Sequence, residues 1–227
     1  MPRRESDRFT ERVLRLPNLY LHQAITDAPD PALPDGPPVF AAAANPAKLN
    51  PRTLALWSRV LEAVPEARLR LRYRAAFHDA SLRQAIASAL PAGRVDFAEG
   101  EDSASAHLAF YREAHVSLDT WPFSSSTSSF EALWMGVPVV TQVGGSMAER
   151  WTGALLQAVG RREWIAADES AYVACAAALI RDRERLATER VNLRTALAPL
   201  TDGTRRARQV ERLYRALWHR WSEGRGK

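Results

Sequence analysis

Between Leu118 and Pro138 the chain reads LDTWPFSSSTSSFEALWMGVP, and this stretch limits the fold more than any other. His115 to Asp119 alternates apolar and polar residues, the pattern of a short strand. A hydroxyl-rich loop follows. Phe130, Leu133 and Trp134 then fall at helical spacing, and Gly136 with Pro138 predicts the stop. The loop therefore empties from a strand onto a helix N-terminus.

Such a terminus carries about half a positive charge and several unpaired N–H groups, so the amides and hydroxyls of Ser124 to Ser129 could meet phosphate oxygens. Glu131 stands where it could take ribose hydroxyls. The same residues admit a second reading, because Ser128-x-x-Glu131 is the spacing of a capping box that satisfies a helix end with no ligand. A flexible Ser-rich linker is disfavoured, since such linkers seldom run from a strand end onto an amphipathic helix.

The surrounding chain alternates strand and helix. Val39 to Ala44 is a continuous apolar run, as in a strand buried on both faces, and Pro51 to Val64 is a helix with Leu54, Trp57, Val60 and Leu61 inward. Strands at Arg68 to Tyr73 and Arg94 to Ala98 alternate with helices at Ser81 to Leu90 and Ala104 to Glu113, which is βαβα order. Pro138 to Val143 predicts a further buried strand, Met147 to Ala158 a helix, and Trp164 to Ala167 a last strand. A helix capped by Asp168 or Ser170 and running to Ile180, and helices at Arg183 to Leu197 and Thr204 to Trp221, complete the pattern. A short helix is also expected in RFTERVLRLP, with Phe9, Val13 and Leu14 on one side and a stop at Pro17. The organisation expected is a helix and Pro-rich connector over 1–38, a Rossmann-like domain over 39–200, and an amphipathic helix over 201–227. That last helix has an aromatic stripe, Tyr214, Trp218 and Trp221 among it, which needs cover.

In open parallel sheets ligands bind beyond the strand carboxyl ends, where Asn45 and Lys48 follow the first strand. Lysine occurs only at Lys48 and Lys227, although the chain has 31 basic residues. A compact ammonium suits a diphosphate; an ordinary solvated loop lysine is the other reading. His107, one turn into its helix, is by itself more often a surface or core histidine than a ligand. Gly144 and Gly145 allow close approach to a ligand or a plain tight turn.

Composition removes several function classes. The net charge is +5, but the arginines are mixed with acids and no zinc finger or aromatic RNA-binding strand accompanies them, so nucleic acid is not an expected partner. Cys175 is the only cysteine and is expected to be a small buried filler, and the histidines lack metal spacing, so no metal site is expected. No apolar run approaches the ~20 residues of a membrane helix. The basic N-terminus has no apolar core behind it, so no membrane partner and a cytoplasmic location are expected.

From about Arg8 to Trp221 the chain resembles the glycosyltransferases that include the nucleocytoplasmic protein O-GlcNAc transferases and SPINDLY-type enzymes. The specific block is Leu118, Asp119, Thr120, Thr127, Ser128, Glu131, Leu133, Trp134, Gly136, Pro138, Val140 and Thr141. The resemblance implies an α/β fold, a Rossmann-like parallel sheet flanked by helices, as one lobe of a GT-B glycosyltransferase. It implies that Lys48 is the catalytic group on the donor diphosphate, with Asn45, Asp102, His107, Ser126, Thr127, Ser128 and Glu131 binding a UDP-sugar, UDP-N-acetylglucosamine by expectation. His107 would pack on the uracil, with backbone contacts near Asp102. Ala104 and Phe110 depart from the Lys and Arg of the animal enzymes, which puts base and ribose recognition in question. No cofactor beyond the donor is implied. The resemblance covers the carboxyl-terminal half of the catalytic region, so transfer to protein Ser/Thr is expected only with a second, amino-terminal lobe. The alternative is a non-catalytic nucleotide-sugar-binding module or remnant.

Overall fold

The computed structural model describes residues 9–16, 22–98 and 103–224. The chain divides into one unit of Ile25–Leu197 and another drawn from Met1–Ala24 and Ala198–Lys227. The larger unit holds a six-stranded sheet of β1 (Val39–Ala43), β2 (Arg68–Arg72), β3 (Val95–Phe97), β4 (Val116–Leu118), β5 (Val139–Gln142) and β6 (Ile165–Ala166). Every pairing is parallel, in the order β3-β2-β1-β4-β5-β6. From β1 the chain winds outward through β2 and β3, and from β4 it winds the other way through β5 and β6. Loops leaving the adjacent carboxyl ends of β1 and β4 therefore diverge, and a crevice opens between them.

The strands are apolar where helices cover them. Phe40 and Ala41 of β1 are fully buried, as are Leu69 and Leu71 of β2. After β1, helix α1 (Pro51–Ala63) starts with Pro51 in its first turn and the Asn50 side chain accepting from the Thr53 amide at 3.0 Å. Its Trp57, Val60 and Leu61 are buried, and it packs on the later helix α6 (Glu169–Arg181), which Asp168 caps. Helices α2 (Ala80–Ser88), α3 (Ala104–Phe110), α4 (Thr127–Trp134), α5 (Trp151–Ala158) and α7 (Arg183–Leu197) complete this unit.

Gly136 ends α4 with φ +71, and a Cβ there would stand 2.8 Å from the Arg190 backbone. Only glycine satisfies both the left-handed conformation and the approach of α7. Arg190 is itself buried and donates to the carbonyls of Met135 and Ala114, and burial lowers its pKa to about 10.

Several sequence expectations are corrected. Residues 9–16 form bends, not a helix. A segment this short, ended by Pro17, cannot meet the cost of nucleation without packing, and Phe9 and Leu14 are exposed. Helix α5 begins at Trp151 instead of Met147, because Glu149 accepts from the Ser146 amide and Arg150 donates to the Ser146 carbonyl, which closes a turn ahead of it. Helix α3 tightens after Phe110 into a 3-10 turn at Tyr111–Glu113. Cys175 is half-exposed instead of buried, its thiol directed at the Glu163 carbonyl. In the smaller unit, α8 (Gly203–Ser222) is capped by Asp202 and has no buried residue. Its Tyr214, Trp218 and Trp221 are all more than 60% exposed, so the cover that the stripe calls for is not supplied within the described residues. No described helix is long and apolar enough to cross a membrane, and no group of three or more His, Cys, Asp or Glu side chains is placed to hold a metal among the described residues.

Candidate functional site

The crevice between β1 and β4 is lined on one side by a loop folded around Asp119, at the end of β4. The Asp119 carboxylate is buried and accepts from the amides of Thr120 (2.9 Å) and Ser125 (2.7 Å) and the hydroxyls of Ser124 (2.8 Å) and Thr141 (2.7 Å). Thr152 continues the network: its amide donates to the Ser124 hydroxyl and its hydroxyl meets Ser129 at 2.8 Å. The run SSSTSS is thus divided. Ser124, Ser125 and Ser129 are buried and occupied with the fold. The hydroxyls of Ser126, Thr127 and Ser128 have no hydrogen-bond partner among the described residues, and no side chain caps α4. The first-turn amides of a helix have no partner inside it, so donors of both kinds collect at this mouth.

The capping-box reading is overturned. Helix α4 begins with Ser126 as its N-cap, which puts Ser128 inside the first turn and Glu131 in the second, too far along to reach back. The Glu131 carboxylate turns instead to His107, 2.8 Å from its Nε2.

Lys48 comes to the same mouth from the other side. Asn45 caps the 3-10 turn Pro46–Lys48 by accepting from the Ala47 amide, and its Nδ2 donates to the Tyr73 hydroxyl at 3.2 Å. The turn carries the Lys48 ammonium to 3.4 Å from the Ser124 carbonyl and 4.4 Å from the centre of the Phe123 ring. Burial lowers the pKa of this lysine, and the Asp119 charge raises it in opposition. Asn50 and Thr53 of the α1 start both donate to the Trp121 carbonyl, at 2.8 and 2.6 Å, which ties the two banks together.

Farther along the crevice, His107 stands edge-on to Tyr111, with ring centres 5.6 Å apart. A cleft of about 230 Å³ lies here, lined by Tyr73, Arg74, Ser103, Ala104, His107 and Ser128. Phe110 is buried against Tyr111 and cannot replace a cation at the cleft, and Ala104 lines it without charge. Asn45, Lys48, His107, Ser126, Thr127, Ser128 and Glu131 therefore surround one crevice; Asp102 lies outside the described residues. Sequence reasoning did not assign roles to Asp119, Thr152 or Tyr73. A carboxylate directly after a buried strand was the available signal for Asp119, since a buried acid needs several donors.

Comparison with known proteins adds to this geometry. A SPINDLY protein of Solanum lycopersicum, described as a probable UDP-N-acetylglucosamine–peptide N-acetylglucosaminyltransferase, is 34% identical over 98% of this chain and 25% of its own length. The UDP-N-acetylglucosamine–peptide N-acetylglucosaminyltransferase of Caenorhabditis elegans is 29% identical over 92% of this chain and 18% of its own. The chain thus spans about a quarter or less of these relatives. The Thermobaculum terrenum O-GlcNAc transferase, solved as a lysine-to-methionine mutant, superposes with TM-score 0.87 and 34% identity, over 96% of this chain and 43% of that one. Sucrose-phosphate synthase from Thermosynechococcus elongatus, at 20% identity and TM-score 0.58, shares the fold, which is a Rossmann-like lobe of the GT-B type. Residues 21–205 match glycosyl transferase family 41, and with the close likeness to its O-GlcNAc transferases the chain belongs to that family.

Proposed function

We propose that this chain is the nucleotide-sugar-binding lobe of an O-GlcNAc transferase-like enzyme, which takes UDP-N-acetylglucosamine as donor and, completed by a second lobe, transfers the sugar to protein Ser/Thr. One observation carries the reading: the Lys48 ammonium stands 3.4 Å from the Ser124 carbonyl, at the mouth where the first turn of α4 is left uncapped. Positive charge and amide donors converge at one point of a switch-point crevice, as a diphosphate requires. The leaving group of the reaction is UDP, whose charge grows as the glycosidic bond breaks. Lys48, the hydroxyls of Ser126, Thr127 and Ser128, and the α4 amides stabilise that charge more strongly than they do the ground state.

Glu131 and His107 receive the ribose and the base, with Asn45 and Tyr73 framing the cleft beside them. A cytoplasmic setting suits a chain whose one cysteine forms no internal disulfide. The names of the relatives support UDP-N-acetylglucosamine and a protein acceptor. The non-catalytic alternative has less support, because the family and the relatives it resembles are named as glycosyl and N-acetylglucosaminyl transferases. Calorimetric titration with UDP tests the reading: saturable binding that Lys48→Ala weakens is expected, and absence of heat from the folded chain overturns it. Robust glycosylation of a Ser/Thr peptide by this chain alone would overturn the need for a second lobe.

A further inference from the structure

Asp119 is 3% exposed and faces no open surface, yet four side-chain and backbone donors and two strands converge on it. Its amide donates to the Val140 carbonyl of β5, and its carbonyl accepts from the Tyr172 hydroxyl of α6 at 3.0 Å. Its carboxylate holds the Ser124 hydroxyl, and the carbonyl of that same Ser124 accepts from Lys48. A buried carboxylate is costly unless donors surround it, and here four donors do. We infer that Asp119 is the positioning residue of the diphosphate site: it holds Ser124 and Ser125 so that Lys48 and the free first turn of α4 face one phosphate, and it places a negative charge behind the ammonium. This rests on reading the crevice as a nucleoside-diphosphate site.

The charge has its own consequence. Burial favours neutral Lys48, and Asp119 opposes it. The other groups nearby are occupied or neutral: Arg52 stacks over Trp121 and pairs with Glu169, and the Tyr172 phenol is held well above its ordinary pKa by burial. Asp119 therefore offsets part of the effect of burial and favours the charged lysine as pH rises. A purely structural anchor would change affinity equally at every pH.

The test is calorimetric titration of the folded chain with UDP, from neutral to alkaline pH, for the wild type, Asp119→Asn and Thr141→Val. Asp119→Asn keeps the shape and removes the charge; it is expected to weaken UDP binding about tenfold at neutral pH and to begin its alkaline loss at lower pH than the wild type. Thr141 is fully buried with its hydroxyl on the Asp119 carboxylate, so Thr141→Val loosens the carboxylate without discharging it. That variant is expected to weaken binding about threefold, with the wild-type pH limb. An Asp119→Asn profile parallel to the wild type, or Thr141→Val binding as tightly as the wild type, overturns the inference. If Asp119→Asn does not fold, the second variant decides alone. Should the wild type bind no UDP, the reading of the crevice fails first, and that outcome is distinct from either.

Discussion

The central strand pair β1–β4 ends in two opposite ways. At its amino end the sheet is sealed: His115 donates its amide to the Val39 carbonyl, and its Nδ1 accepts from the Val39 amide at 3.1 Å. Arg190 closes the same end through the Ala114 carbonyl. At its carboxyl end the chain parts into the Lys48 turn and the Asp119 loop, where the hydroxyls of Ser126, Thr127 and Ser128 have no partner among the described residues and no side chain caps α4. One end pairs the polar groups named here within the fold, and the other keeps a few hydroxyls unpaired, which the proposed donor would take. If the proposed function holds, the same two strands carry stability and recognition at opposite ends, and a change at one is expected to spare the other.

Gly136→Ala presses on the sealed side hardest. A Cβ in the left-handed region, 2.8 Å from the Arg190 backbone, is expected to lower stability by roughly 3 kcal/mol, read as a drop in the denaturant midpoint, with little change in UDP affinity per folded molecule. Lys48→Ala does the reverse: UDP affinity should fall about thirtyfold, or roughly 2 kcal/mol, while the melting temperature stays near the wild-type value. Equal losses in both measurements for either variant would erase the contrast.

Acid and alkali separate the ends further. Burial and the nearby Arg190 and Arg183 charges lower the His115 pKa from 6.5 to about 4. Its neutral Nδ1 is the acceptor for Val39, so stability is present in full above pH 6.5 and is lost as pH falls from 6.5 towards 4. His115→Asn keeps an acceptor that does not protonate in this range, and flattening of that acid slope in chemical denaturation is the expected sign. Lys48 acts in the opposite sense: burial lowers its pKa, and UDP binding is expected while the ammonium is charged and is expected to be lost as pH rises through that lowered value. The smallest effect belongs to Glu131→Gln. Its pair with His107 is partly open to solvent, so an affinity loss of about threefold is expected by calorimetry, with stability unchanged within error.

Much of this was legible along the chain. The continuous apolar run at Val39–Ala43, the alternation of β2 and the Gly136 stop are local patterns, and each appears where its period puts it. Lys48, the hydroxyl loop, His107 and Glu131 fall at carboxyl ends because a parallel α/β winding leaves its loops there. The amino-terminal helix and the cover for α8 were not legible, because a periodic pattern states which face is apolar and not whether anything packs on it.

What the residues alone determined is the winding and the edge at which the donors collect, since both follow from short-range periodicity and from the handedness of the crossover. What only the tertiary structure decided is how a run of similar hydroxyls is shared out. Ser124 and Ser129 turn inward because Thr152, far along the chain, meets them, while Ser126, Thr127 and Ser128 remain free. The direction of a hydroxyl in an irregular loop depends on backbone angles set by distant partners, and no pattern within the loop records them.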